Sequence, residues 1–171
     1  QNVTMSTLAA ALEGLGDALA AVVVIAFADD GLRRCGDDEL LAVLAAAGRF
    51  QRGAEALMSE AVAQVLERED AQSHPDRLTT RVGCRNVGEL VQRATRVSGR
   101  TAADVIATAR AVGRRIALTT GELLPAELPR MREALRDGHA GVDGVAGVAG
   151  ALRGCAAGRA ELRERLHAPL V

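Results

Sequence analysis

The sequence predicts an all-α fold, because its composition suits packed helices and its apolar residues keep a helical period. Apolar residues make up 49% of the 171 residues, but aromatic residues make up only 1%. A core built from Ala, Leu and Val favours closely crossing helices, whereas β-branched and aromatic side chains usually dominate sheets. We therefore expect a helical bundle with a long N-terminal antiparallel helix hairpin and a helix-turn-helix-like segment.

The hairpin is expected over residues 1–70 and is acidic on its outer face. Apolar side chains at spacings of three and four predict its first helix over about residues 7–28. These side chains are Leu8, Leu12, Leu15, Leu19, Val22 and Ala26. The continuously apolar stretch 18–28 is about half as long as a bilayer span requires, so we interpret it as a buried helix. Asp37 or Asp38 can cap the second long helix after a turn.

A polar segment separates the hairpin from the rest of the chain. Residues 71–80 contain the first proline, Pro75, next to Ser73 and His74, which is typical of a linker or a turn. The remaining residues, 81–171, predict a basic helix-turn-helix-like region that forms one compact body with the hairpin.

Two capping patterns mark helices in the basic region. Asn86 stands three residues before Glu89, and Thr101 stands three residues before Asp104. At this spacing a side chain can bind the free backbone amides at the start of a helix. The predicted helices cover about residues 87–97 and 102–118. Two helices with matching apolar stripes, joined by a tight turn, form a helix-turn-helix pattern.

Glycine dominates the segment after a short helix that is predicted over about residues 130–136 and ended by Asp137 and Gly138. The next glycines recur every three residues, at positions 141, 144, 147 and 150. Each glycine inside a helix costs about 1 kcal/mol relative to alanine. Two interpretations stay open: a helix whose glycine face lies flush against a neighbour, or a flexible segment. Residues 151–167 predict a final helix rich in Arg and Glu.

Charge is nearly balanced over the whole chain but unbalanced locally. The formal net charge is −1, yet residues 1–70 hold five Arg against twelve acidic residues, and residues 81–116 hold eight Arg against two. Guanidinium groups match phosphate geometry and release counterions on binding, so the basic segment predicts a polyanionic partner. The alternative is that the acidic and basic segments face each other within one fold.

The second helix of a DNA-binding helix-turn-helix presents its polar side to the major groove. Here a threonine and several arginines lie opposite the apolar stripe of that helix, and the preceding helix and turn add further arginines. The predicted DNA-binding residues are Arg93, Arg96, Arg100, Thr108, Arg110, Arg114 and Arg115. An ordinary helical hairpin with an arginine-rich solvent face is the alternative interpretation.

No catalytic residue, metal ion or cofactor is predicted for this chain. His74, His139 and His167 lack a partner at ligand spacing, and a chain without Lys has no glycine-rich phosphate loop ending in Lys. The three cysteines are far apart, and no Arg precedes Arg33, whereas a secretory signal begins with basic residues. We therefore expect a cytoplasmic protein without a membrane partner.

One part of the chain resembles a known family. Its features are a leucine-bearing helix from Val87, a Ser98-Gly99 turn, an Ala-rich helix from Thr101, Leu128-Pro129, a short helix and Asp137-Gly138. With the acidic hairpin before it, residues 32–152 resemble the N-terminal domain of unknown function found in actinobacterial HNH endonuclease proteins. That family includes the mycobacterial thirteen-E-twelve repeat proteins. Its members usually continue into an HNH nuclease module and are associated with mobile elements.

The resemblance implies an accessory module that holds or positions DNA for a nuclease elsewhere in the parent protein. An HNH site needs two His and an Asn in a compact ββα unit, and this chain has only Asn2 and Asn86, without such a grouping. The expected partners are DNA, the nuclease module and a second copy of the chain. The alternative function is a helical dimerisation or protein-interaction module without nucleic-acid contact, which the mean hydropathy of +0.09 favours.

Overall fold

A computed structural model of the chain describes residues 2–117 and 119–167, with side chains over residues 7–28, 30–117 and 119–155. Within these residues the fold is all-α, which confirms the predicted fold class. The α-helices are α1 (Asn2–Phe27), α2 (Asp37–Ala71), α3 (Leu78–Arg81), α4 (Val87–Thr95), α5 (Gly99–Val112), α6 (Pro129–Arg136) and α7 (Val142–His167). Short 3-10 helices cover Ala28–Arg34 and His74–Asp76. Both long helices predicted for the N-terminal region are therefore present.

The chain forms two compact units, residues 1–47 and residues 48–171. The boundary falls inside α2 and not in the polar segment 71–80. Within that segment Thr79 is buried, and its backbone amide and hydroxyl donate hydrogen bonds to the Glu69 carboxylate at 3.0 Å and 2.5 Å. The segment is therefore a turn held against the end of α2.

The first unit exposes its apolar side chains. The large apolar side chains of α1 from Leu8 to Phe27 are exposed over 39% to 84% of their surface. None of the apolar window Thr7–Phe27 is buried, and this window is long and apolar enough to cross a membrane by length and composition. The prediction that residues 18–28 form a buried helix is therefore wrong. The helical period of apolar residues predicts which face of a helix is apolar, but it does not predict whether another part of the protein covers that face.

The core of the second unit surrounds α5. One apolar cluster joins α5 to α2, α4 and α7, and a second cluster joins it to α6 and α7. The buried residues of the first are Val62, Ala63, Val91, Ala102, Val105, Ala109 and Val142. Those of the second are Ala111, Val112, Leu135, Val145 and Ala149. Because neighbours cover α5 from several sides, only a narrow stripe of this helix faces solvent.

Side chains cap the starts of α4 and α5. The Asn86 side-chain oxygen accepts a hydrogen bond from the Glu89 amide at 2.9 Å, as the sequence predicts. The second cap is Ser98, whose hydroxyl oxygen accepts a hydrogen bond from the Thr101 amide at 3.1 Å. The prediction that Thr101 caps this helix is therefore wrong, and α5 begins three residues earlier than expected.

The helix α5 ends at Val112, well before its predicted end at Leu118, which lies outside the described residues. A Cβ atom on Gly113 would lie 2.5 Å from the Ala109 carbonyl oxygen and 2.9 Å from the Ala63 Cβ atom. The backbone therefore passes α2 more closely than a larger residue allows. This close approach explains why a glycine stands where the helix stops.

The chain after α5 turns back on itself as a short extended hairpin. The Ala117 amide donates to the Glu122 carbonyl oxygen, and the Leu124 amide donates to the Arg115 carbonyl oxygen, both at 2.8 Å. Gly121 in the turn adopts a φ of +70°, a conformation that suits glycine. The prediction that Arg114 and Arg115 lie on a helix is therefore wrong, because both precede this turn in extended backbone.

The glycine-rich segment is helical and forms the first half of α7. Val145 and Ala149 are buried and pack in the cluster around α5. A Cβ atom added at position 144, 147 or 150 would meet nothing within 4 Å, so these glycines do not lie flush against a neighbour. Tertiary packing of the side that carries Val142, Val145 and Ala149 therefore stabilises a helix that has a low intrinsic propensity.

Candidate nucleic-acid interface

The exposed stripe of α5 carries an arginine near each end. Arg100, Ala103 and Arg110 are exposed and Ala107 is half-buried, at helical intervals of three, four and three residues. With a rise of 1.5 Å per residue, the Cα atoms of Arg100 and Arg110 lie about 15 Å apart along the helix axis. The two alanines between them have short side chains, so the helix surface does not protrude in the middle of the stripe. The stripe therefore presents two cations separated by two short alanine side chains, with the half-buried Asp104 beside Arg100.

The first group of arginines lies at the connection between α4 and α5. Arg96 ends α4 in the left-handed conformation, with a φ of 60°, and its side chain is exposed. Arg100 stands in the first turn of α5. Within the described residues neither guanidinium group has a hydrogen-bond or ion-pair partner. Both groups are therefore available to an anionic ligand.

Arg93 belongs to the same end of the molecule but is already engaged. Its guanidinium pairs with Glu89 on the same helix at 3.0 Å and donates to the Gly83 carbonyl oxygen at 3.3 Å. The Arg85 amide, which donates to the Glu89 carboxylate, and the neighbouring Arg93 and Arg85 charges outweigh desolvation and lower the pKa of Glu89. Of the predicted arginines in the described chain, Arg93 is the one in an ion pair, which makes it a weaker candidate.

The second group lies where α5 ends, beside a groove of about 750 Å³. Arg110, Arg114 and Arg115 line it, and Arg68 joins them from α2. Arg114 donates to the carbonyl oxygens of Leu123 and Leu124 at 3.2 Å and 3.4 Å, so it holds the extended hairpin. The side chains of Arg68, Arg110 and Arg115 have no such partner in the described residues.

The groove is basic on balance. Glu67 and Asp70 line it opposite the four arginines. The Glu67 carboxylate is occupied, because it accepts a hydrogen bond from the Ile116 amide at 2.8 Å. Arg68 was not among the predicted residues, since it stands in the acidic part of the sequence and a segment-by-segment charge count conceals it. No local sequence signal places Arg68 near the end of α5, because that proximity depends on how α2 packs in the fold.

The acidic side chains of α2 bind other parts of the second unit. Glu60 pairs with Arg132 at 2.7 Å, and Arg132 also donates to the Val112 carbonyl oxygen at the C-terminal end of α5, at 2.8 Å. In the part of the chain that the structure describes, no carboxylate of α2 forms an ion pair with a predicted arginine. The end of the acidic segment does face the basic one, since Glu67 and Asp70 line the groove with Arg110, Arg114 and Arg115, but it does not pair with their guanidinium groups.

Thr108 is the one predicted residue that faces inward. It is completely buried, and its hydroxyl donates a hydrogen bond to the Val142 carbonyl oxygen at 3.1 Å. The prediction that Thr108 contacts DNA is therefore wrong. The sequence shows one apolar stripe on α5, whereas α7 covers a second side of the helix, the side that carries Thr108.

The described residues offer groups that could bind an anion. They contain no group of three or more His, Cys, Asp or Glu side chains placed to hold a metal ion. Comparisons with protein-family models, curated proteins and solved structures find no match to this chain. The candidate interface therefore rests on its own geometry: exposed cations at both ends of α5 and a basic groove at one of them.

Proposed function

We propose that this chain is an accessory DNA-binding module that holds or positions duplex DNA for the nuclease part of an HNH endonuclease-type protein. One observation carries the proposal: Arg96, Arg100, Arg110 and Arg115 are exposed, lie near the two ends of one helix and have no partner in the described residues. Multiple unpaired guanidinium groups bind phosphates and displace counterions.

The spacing of the arginines supports contact with the DNA backbone on both sides of a groove. The major groove is about 12 Å wide, and the Cα atoms of Arg100 and Arg110 lie about 15 Å apart along the helix axis. Long side chains at the two ends of α5 can reach phosphates that flank the groove. The α5 helix need not enter the groove, which agrees with its burial on its other sides.

The same surface supports binding with little sequence preference. Ala103 and Ala107 stand between the cations, and an alanine side chain has no hydrogen-bonding group to read a base edge. Phosphate contacts fix position and orientation but carry no sequence information. A module that positions DNA for a separate nuclease must fix the position and orientation of the duplex, but it does not need to read the base sequence.

The proposal is tested by fluorescence anisotropy with a labelled duplex of mixed sequence over a series of salt concentrations. Four phosphate contacts predict a slope of about −3.6 in log K against log salt. The double variant Arg100→Gln, Arg110→Gln removes two contacts and should bring the slope to about −1.8. The same assay with unlabelled competitors of different sequence should show nearly equal competition.

The matched control removes two exposed arginines outside the interface, in the double variant Arg49→Gln, Arg153→Gln. Both arginines are exposed, and this variant changes the net charge by the same amount. It should keep the wild-type slope. A flat salt dependence of the wild type, or an equal loss in the control, would show that the stripe of α5 does not bind DNA.

The second candidate function is a protein-interaction module. The observation that favours it is the exposure of the large apolar side chains of α1. Exposed apolar surface of this extent marks sites of association. The two functions use different parts of the chain and are compatible.

A further inference from the structure

We propose that α1 is a self-association helix, whose apolar seam packs against the α1 seam of a second copy of this chain. The proposal rests on the second candidate function and names its partner, and it is independent of DNA binding. The seam is the set of residues Leu8, Leu12, Leu15, Leu19, Val22 and Ala26. Their spacing alternates between four and three residues, the 3.5-residue repeat that keeps one stripe facing a partner helix.

The charged residues of α1 lie away from the seam. In heptad register, Leu12 and Leu19 occupy a positions and Leu15 occupies a d position. Glu13 and Asp17, the charged residues of the window Thr7–Phe27, then occupy b and f positions, on the side opposite the seam. Two copies can therefore bring their seams together while all four carboxylates remain in water.

The area of the exposed face fits a specific dimer. The four leucines of the seam and Val22 are exposed over 39% to 61% of their surface. Val23 and Ile25, at the flanking e and g positions, are exposed as well. If a partner covered these side chains completely, each copy would bury roughly 600 Å², so two copies reach at most roughly 1,200 Å², the lower limit of the usual size of a specific interface.

A lipid bilayer fits the same helix less well. Asp17 lies ten residues from each end of the window Thr7–Phe27, so a spanning helix would place its carboxylate at the bilayer centre. A charged side chain there is costly and normally has a partner in the membrane. A second copy of the chain satisfies the apolar residues without burying this charge.

The proposal is tested by sedimentation velocity on the full chain over a concentration series that reaches tens of micromolar. The wild type should associate with increasing concentration. The seam variant Leu12→Glu, Leu19→Glu should remain monomeric. The variant Leu12→Ala, Leu19→Ala should also be monomeric, and it retains high helix propensity, so loss of the helix cannot explain its behaviour.

The matched control places the same two charges on the outer face, in the variant Ala20→Glu, Val24→Glu. Positions 20 and 24 are b and f positions, so this variant should associate like the wild type. The proposal is overturned by a monomeric wild type. It is also overturned if the outer variant loses association as fully as the seam variant, because the seam then does not form the contact. Flotation of the wild type with phosphatidylcholine vesicles would likewise overturn it and assign the apolar surface of α1 to a membrane.

The seam variants also separate this proposal from DNA binding. Because α1 lies outside the arginine stripe, the seam variants should bind labelled duplex with the wild-type salt slope. Loss of association with retained DNA binding is the expected result. For the Arg100→Gln, Arg110→Gln variant the expected result is the reverse: a salt slope reduced to about −1.8, with sedimentation like that of the wild type.

Discussion

The carboxylate of Glu55 accepts a hydrogen bond from the backbone amide of Val142, with a distance of 2.9 Å between oxygen and nitrogen. Val142 is the first residue of α7, so a side chain of α2 caps a helix 87 positions further along the chain. The first amides of a helix have no partner within it, and a negative charge there interacts favourably with the helix dipole. Glu55 therefore fixes where α7 begins.

Replacing Glu55 with alanine should destabilise the protein by about 1–2 kcal/mol, because the cap and its charge are both lost. Urea unfolding followed by circular dichroism measures this change. The control is Glu127→Ala, which removes an exposed carboxylate and should change the stability by less than about 0.5 kcal/mol. Equal stability of the two variants would contradict a capping role for Glu55.

Alanine substitutions at two glycines should shift stability in opposite directions. Gly113→Ala places a Cβ atom 2.5 Å from the Ala109 carbonyl oxygen, so it should cost about 1–3 kcal/mol. Gly147→Ala adds a methyl group in open space within α7 and should gain about 0.5–1 kcal/mol. Thermal unfolding of the two variants measures both changes. A destabilised Gly147→Ala variant would show that α7 needs that glycine for packing.

The sequence predicts those parts of the fold that local chemistry decides. The Asn86 cap is visible because an N-cap and the amide it binds lie three residues apart in the chain. The end of α6 is also visible in the sequence, because a glycine commonly follows the last residues of a helix. Gly138 does so here with a φ of +71°. The end of α5 is not visible, because Gly113 is crowded by Ala63, fifty positions away, as well as by the Ala109 carbonyl of its own helix.

The candidate interface is predicted in part for the same reason. The exposure of Arg100 and Arg110 follows from the helical period around the apolar stripe of α5. The burial of Thr108 does not, because it depends on contact with α7, whose glycine-rich sequence shows no strong apolar stripe. The exposure of α1 cannot be predicted from its sequence either, because an apolar helix has the same sequence pattern whether or not another surface covers it.

The variant Thr108→Val should separate a structural role from a binding role. It keeps the side-chain shape but removes the hydrogen bond to the Val142 carbonyl oxygen, so stability should fall by about 1 kcal/mol. Affinity for duplex DNA and its salt slope should stay at the wild-type values. Urea unfolding and fluorescence anisotropy on the same preparation measure the two quantities. A weaker DNA affinity in a folded variant would show that Thr108 contributes to DNA binding.

The Glu69 carboxylate should make stability depend on acidic pH. Desolvation raises the pKa of Glu69, but the hydroxyl and amide of Thr79 and the nearby Arg77 charge outweigh it, and the pKa is lowered on folding. A lowered folded-state pKa contributes stability that is present above the unfolded-state value of about 4.3 and is lost as the pH falls through the folded-state value. Urea unfolding of the wild type and of Glu69→Gln at pH 6 and at successively lower pH measures this contribution. The wild type should be the more stable at pH 6, and the difference should shrink below about pH 4. A difference that stays constant with pH would show that the charge of Glu69 does not stabilise the turn.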